Sequence, residues 1–210
     1  MSESSERRRR TGEQARHRIL EAAQKRLTEV GPEGLRLQEL AADLGVSHPA
    51  ILHHFGSREG LLTALASHGV EALNRELAER IQAGAVDLNE ILALTTETLA
   101  SRGHARLLAW LALSGRAPDP GEPRRLADLA RLARTSRNAH REAEGRGPAS
   151  YEDTAHAIVL VALVLFGDAL LGDLVRGSAG LDHPNAGERF RIWLAEVLEA
   201  HFSRSEGAPE

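Results

Sequence analysis

Residues 37–55 read LQELAADLGVSHPAILHHF, and the spacing within this stretch decides how the N-terminal part of the chain folds. Leu40, Leu44, Ile51 and Phe55 recur at helical intervals on either side of Gly45, so each of two short helices has one apolar face. Those faces can pack together. Ala41 is small where the helices cross, and Gly45 stands where a sharp turn asks for a left-handed backbone that costs other residues energy. Val46 plugs the corner. Ser47 can accept a hydrogen bond from the free amides opening the next helix, and Pro49 is tolerated in a first turn, so the second helix begins at about Ser47. Ser47, His48, Pro49, Leu52, His53 and His54 remain outward, a short surface of donors, acceptors and small apolar groups of the kind that reads base edges. Any helical hairpin with histidines on a solvated face fits the same pattern, so the flanks must decide.

Upstream, residues 16–30 place Ile19, Ala22, Ala23, Leu27 and Val30 on one helical stripe that stops at Gly31-Pro32, as a helix covering the hairpin would. Downstream, Ser57 caps a further helix that opens Arg58-Glu59-Gly60-Leu61-Leu62. In the stretches VGPEGL, LAADLGVS and HHFGSREGLL, residues 16–65 closely resemble the DNA-binding region of the TetR family of bacterial transcriptional regulators. The resemblance makes Gln38, His48, Pro49, Ala50 and His54 candidates for base or groove contact, and Arg36 and Arg58 candidates for phosphate. Ser47 and His53 complete the expected DNA-facing set.

Three departures from that family's pattern matter. Leu35-Arg36 stands where a threonine or serine commonly caps the first helix of the motif, so the cap is weaker and Arg36 offers charge instead. Leu52 replaces a phosphate-contacting tyrosine and is expected to meet a thymine methyl group. Arg58 replaces the usual lysine and keeps its charge.

The histidines do not form a metal site on this reading. At about 100° per residue, His48, His53 and His54 point in separate directions, and no pair has the i, i+4 spacing that lets two imidazoles share an ion. No phosphate loop, nucleophile elbow or metal spacing gathers His104, His140 and His156 with the carboxylates of the later chain, so no enzyme is expected.

The chain has 210 residues and no cysteine, which excludes disulfides and thiolate chemistry. The longest apolar run, 157–166, is interrupted on both sides and falls short of a bilayer span. The start, MSESSERRRR, lacks the apolar stretch of a signal peptide, and the expectation is a cytoplasmic protein with no membrane partner. Net charge is −4 overall, but residues 1–65 hold 10 Lys+Arg against 9 Asp+Glu while the rest holds 16 against 21. An acidic body therefore masks a mildly basic head. Residues 1–15, with Arg7 to Arg10 as an undiluted basic block, read as a disordered arm that either follows phosphates or only solubilises.

Beyond residue 65 the pattern is helical throughout. Asp87-Leu-Asn-Glu90 resembles a capping box opening a helix to about Ser101, and another runs from about His104 to Ser114. Residues 115–123 read as a Gly- and Pro-rich loop, a helix follows from 124 to about 143, and 144–149 form another loop. Residues 158–175 are apolar nearly all round, and the last helix, opened by Asn185-Ala-Gly-Glu188, carries a broad apolar stripe. The fold class is all-α: a three-helix head with a helix-turn-helix at 16–65, a larger helical effector-binding and dimerisation domain at 66–205, and a tail at 206–210.

The resemblance assigns the last two helices to a homodimer interface, with Phe166, Leu170, Phe190, Trp193, Leu194 and Val197 as candidates. It assigns the intervening helices to a small-molecule pocket, for which Leu94, Leu99, His104, Leu107, Trp110, Leu111, His140 and Phe166 are candidates. Aromatic residues are 3% of the chain, which favours an apolar or amphipathic effector and aliphatic walls. No cofactor is expected, and the effector's identity is not readable. The expected function is a sequence-specific DNA-binding transcriptional regulator, a repressor released from a palindromic double-stranded operator by that effector. A transcriptional activator of the same fold, or a helical adaptor without specific DNA binding, is the alternative.

Overall fold

A computed structural model describes residues 3–84, 87–116 and 125–204, with side chains from residue 12 onward. The described residues form α1 (Glu3–Gly34), α2 (Leu37–Leu44), α3 (His48–Phe55), α4 (Arg58–Gln82), α5 (Leu88–Thr96), a π-helical turn (Glu97–Ser101), α6 (His104–Leu113), α7 (Arg125–Ala143), α8 (Tyr151–Ser178) and α9 (Ala186–Arg204). They divide into two compact units, one comprising Met1–Gly69 with Ser101–Pro118, the other Val70–Ala100 with Asp119–Glu210.

The first unit is built on one core. Ile19, Leu20, Ala23 and Leu27 of α1 meet Leu35, Leu37, Leu40, Ala41, Ile51, Leu61, Leu62, Leu65 and Ala66, and Leu107 and Leu111 of α6 close it. The expected head ended at residue 65. The structure adds α6, because a three-helix head leaves apolar surface on its outer helices and Leu107 and Leu111, one turn apart, bury it. The expected break at Gly31-Pro32 is present as a non-helical Gly31 (φ 70°, ψ 177°), after which a last turn runs to Gly34.

The arm read as disordered is helical backbone continuous with α1 from Glu3. Helix propagation past a nucleated, packed stretch costs little, and the Glu, Arg and Gln residues upstream are good helix formers. The 117–123 part of the expected Gly- and Pro-rich loop and the 206–210 tail lie outside the described residues.

In the second unit, Leu77 and Ile81 of α4 pack with Leu129 of α7, joined by Ile91, Leu94, Leu132 and Ile158. Asp87 caps α5 by accepting from the Asn89 amide at 2.8 Å, and α5 gives way to the π-helical turn at Glu97. α8, taken whole, meets the length and composition of a membrane span: its 18-residue window has mean hydropathy 2.4 and is 11% buried. The short run at 157–166 understated it, since Asp168 interrupts the run without ending the helix. Asp168 and Asp173 both pair with Arg176, so each acid inside the apolar stretch has a charged partner.

Arg137 ties this unit together. Its guanidinium donates to Asp153 at 3.0 Å and Thr154 at 2.6 Å and lies 4.0 Å from the centre of the Phe202 ring. His201 of α9 meets the same Asp153 carboxylate at 2.6 Å. Burial acts against the charge on Asp153, but the hydrogen bonds from His201 and Arg137 outweigh it and hold its pKa below the ordinary value. Such a group stabilises the fold above the unfolded carboxylate value of about 4 and loses that contribution as pH falls through the lower folded value. Asp153→Asn should therefore lower the melting temperature near neutral pH, and melts followed downward in pH should show the wild type converging on the variant as pH falls below the ordinary carboxylate value of about 4.

Candidate DNA-binding site

The reading surface is assembled from local signals. α2 ends at Gly45 in the left-handed conformation (φ 63°, ψ 31°), with the Gly45 amide bonded to the Ala42 carbonyl and the Val46 amide to Ala41, so the helix's last carbonyls are satisfied within the turn. Ser47 opens α3 by accepting from the Ala50 amide at 3.3 Å, and Pro49 occupies the first turn. Ile51 is fully buried against α2 and α4, which aims the opposite face of α3 outward. Ser57 caps α4 through the Gly60 amide at 3.0 Å. Gly60 is required there, since an added Cβ would fall 2.1 Å from the Phe55 carbonyl oxygen.

Ser47, Pro49 and His53 are exposed, His48, Ala50 and His54 are half-buried, and Gln38 stands exposed on α2. Arg36, the extended residue before α2, makes no side-chain cap, and its guanidinium comes only within 3.8 Å of Glu39, which leaves it exposed and available to an anion. Glu39 and Asp43 on α2 are instead held by Arg26 of α1, at 2.6 and 2.5 Å. The hydrogen bond to Arg26 lowers the Asp43 pKa, and the same bond raises that of Arg26. One cation thereby offsets part of the charge of two carboxylates that would repel phosphate. Arg16 of α1 lies 5.1 Å from the Phe55 ring centre at the end of α3. Sequence reasoning missed Arg26's role, because partners 13 and 17 residues away leave no periodic signal.

Two expected contacts are corrected. Leu52 is half-buried and packs on the core, since it lies beside Ile51 on the helix's inner edge, and it does not stand fully outward. Arg58 is turned inward: Nε donates to the Leu35 carbonyl at 2.8 Å, Nη2 donates to the Pro32 carbonyl and to that of Glu33 at 3.2 Å, and the guanidinium lies 5.4 Å from the Trp110 ring centre. Backbone carbonyls at the end of α1 need donors, and a guanidinium fork supplies them.

The expected pocket residues are divided between the units. Leu107, Trp110 and Leu111 belong to the core of the first, where His104 is also buried with its ring against Gly69: a Cβ at Gly69 would meet His104 Nε2 at 1.7 Å. In the second, Leu94 packs on the Leu77 cluster, Leu99 is buried in the π-helical turn and Phe166 is half-buried. His140 is exposed and bonded to the Ser136 carbonyl of its own helix. Of the expected interface residues, Leu170, Trp193 and Val197 are exposed, while Phe166 and Phe190 are half-buried, Phe190 stacking on Trp193 with centroids 6.0 Å apart. Leu194 is corrected: at 4% exposure it is spent in the subunit's own core, one helical residue beyond the exposed stripe.

A helix, a left-handed glycine turn and a capped second helix, presenting polar groups over a common core, define a helix-turn-helix DNA-binding head. The family is identified by comparison: residues 19–65 match the profile of the bacterial regulatory proteins of the tetR family, and the head is a TetR-family DNA-binding domain. An uncharacterized HTH-type transcriptional regulator of Mycobacterium tuberculosis is 33% identical over 112 residues, which are 52% of this chain and 54% of that protein. This chain thus aligns with about half the length of that relative. The HTH-type transcriptional repressor AcnR of Corynebacterium diphtheriae is 35% identical over 136 residues, 60% of this chain and 65% of that one. Over nearly the whole chain, the fold matches a TetR variant from Acinetobacter baumannii solved in complex with minocycline, at 26% identity, TM-score 0.57, and coverage of 90% of this chain and 97% of that one.

The Ser47 cap and the crowding at Gly60 predict different costs. Ser47→Ala should destabilise the protein by about 1 kcal/mol through loss of the cap. Gly60→Ala should cost about 1–3 kcal/mol, since a backbone carbonyl cannot move aside for a methyl group. Denaturant unfolding of both variants measures this, and equal costs would contradict the crowding at Gly60.

Proposed function

We propose that this chain is a homodimeric, sequence-specific DNA-binding transcription regulator of the cytoplasm, a repressor released from a palindromic operator by an apolar or amphipathic small molecule. One observation carries the DNA-binding reading: α3 is locked by Ile51 and Ser47 so that Pro49 and His53 stand exposed and His48 and His54 half-exposed, while Arg36 and Gln38 stand exposed at the start of α2. Base edges are read by such donors and acceptors, while the charge of Arg36 supplies affinity. The repressor reading draws on AcnR, which is named a repressor, and the effector reading on the structural neighbour with minocycline bound.

The second unit supports pairing. Leu163 (66% exposed), Leu174 (71%), Val175 (58%) and Trp193 (56%) place large apolar side chains in water on α8 and α9. Apolar surface of that extent calls for a cover, and a second copy explains why a helix with the hydropathy of a membrane span sits in a DNA-binding protein. Two heads related by a two-fold axis read half-sites about 34 Å apart.

A helical adaptor without specific DNA binding is the second reading, favoured by the inward turn of Arg58 and Leu52, which removes two expected contacts. Footprinting on DNA flanking the gene, followed by a screen for compounds that abolish protection, decides between the two; absence of any protected palindrome supports the adaptor. Arg36→Ala should reduce the slope of log affinity against log salt by about one, whereas Gln38→Ala or His48→Ala should change which bases are preferred. Trp193→Asp should convert the dimer to a monomer in light scattering at micromolar concentration. An unchanged mass would remove Trp193 from the interface.

A further inference from the structure

Four parts of the first unit meet at one guanidinium. Arg58 stands in the first turn of α4, its three carbonyl partners lie in the last turn of α1 and just before α2, and Trp110 of α6 lies over its guanidinium. Leu35 and Leu37 anchor the segment in the core, but its backbone has no local side-chain cap. Gly31 breaks α1, and the residue opening α2, Arg36, brings no side-chain cap. Pro32 and Leu35 are buried, so their carbonyls have limited access to water. From α6, Arg106 reinforces the same segment, pairing with Glu33 at 3.2 Å and lying over Gly31, where a Cβ would come 2.7 Å from its guanidinium carbon.

We infer that Arg58 is a positioning residue for DNA recognition: it fixes where α2 begins, and hence where Arg36 and Gln38 meet DNA, with Trp110 holding the guanidinium in place. The inference rests on the DNA-binding reading above. Arg58 does not supply the acceptor that α2 lacks, but by donating to carbonyls of the segment leading into α2 it makes the start of that helix depend on α4, 23 to 26 residues further along the chain. Only arginine fits the role. A lysine carries the same charge, but has neither the planar fork that serves several carbonyls at once nor the flat face that stacks on an indole.

The test uses the full chain, a duplex selected by the wild-type protein from a randomised pool, and a scrambled duplex of equal length. Affinities are measured over a salt series, below the melting temperature of every variant. Arg58→Ala and Arg58→Lys should each lose about tenfold in binding to the selected duplex, as expected for hydrogen bonds from a charged group, with scrambled binding and the salt slope unchanged. Trp110→Leu should lose less and add nothing in combination with Arg58→Ala. Hydrogen exchange supplies a readout without DNA: the Leu40 amide, bonded to the Arg36 carbonyl at 3.1 Å, should lose protection in Arg58→Ala while the core of α1 keeps it. A slope reduced by about one, with both duplexes weakened together and lysine restoring binding, would make Arg58 a phosphate contact and overturn the inference. Unchanged selectivity and unchanged Leu40 protection would also overturn it, leaving Arg58 a general stabiliser. Failure of the wild type to prefer any duplex would sink the DNA-binding reading itself, and the exchange result would still report whether the restraint on α2 exists.

Discussion

An eight-residue helix has too few internal hydrogen bonds to persist in water, so α3 exists because Ile51 is buried. That single side chain draws α3 onto Leu40 of α2 and Leu61 and Leu65 of α4 within the shared core, and every polar group on the outer face takes its direction from it. The glycine turn and the Ser47 cap set the angle at which α3 leaves α2, but they contribute on the order of 1 kcal/mol each, whereas burying an isoleucine contributes roughly 1.5–3 kcal/mol. The core therefore sets the site, and the caps refine it.

Charge follows the same division of labour. Arg26 answers Glu39 and Asp43, and Arg58 answers carbonyls, so neither cation is spent on a solvent-facing anion site. What remains outward on α2 and its entry is Arg36 beside Gln38, a cation next to an amide that can pair with a base edge. The head is only mildly basic by count, and placement accomplishes what the count does not. Pairing acids with a cation lowers their repulsion of phosphate, which serves a phosphate-facing surface as adding a base would.

The second unit shows why hydropathy has to be read with structure. α8 has the composition of a membrane span, yet it begins with a Ser150 cap and the Asp153 network and ends in the Asp168–Asp173–Arg176 cluster. Exposed apolar side chains stand on α8 and also on α9, at Trp193 and Val197, a pattern suited to burial against protein. Leu194, adjacent to Trp193 in sequence, is buried in its own subunit because about 100° of helical rotation separates neighbours.

The sequence alone determined the helices of the motif, the Gly45 turn, the Ser47 and Ser57 caps and the outward placement of His48, Pro49 and His53, because those features depend on neighbours within a few residues. Backbone preference and period-3.6 burial are local properties, and local properties are legible in a string of letters. Tertiary structure alone decided that α6 completes the head, that Leu107, Trp110 and Leu111 fill its core, and that Arg58 faces carbonyls instead of solvent. Each of those outcomes is a contact between residues far apart in the chain. An arginine's sequence neighbourhood records its charge, but the partner that claims that charge is chosen by packing.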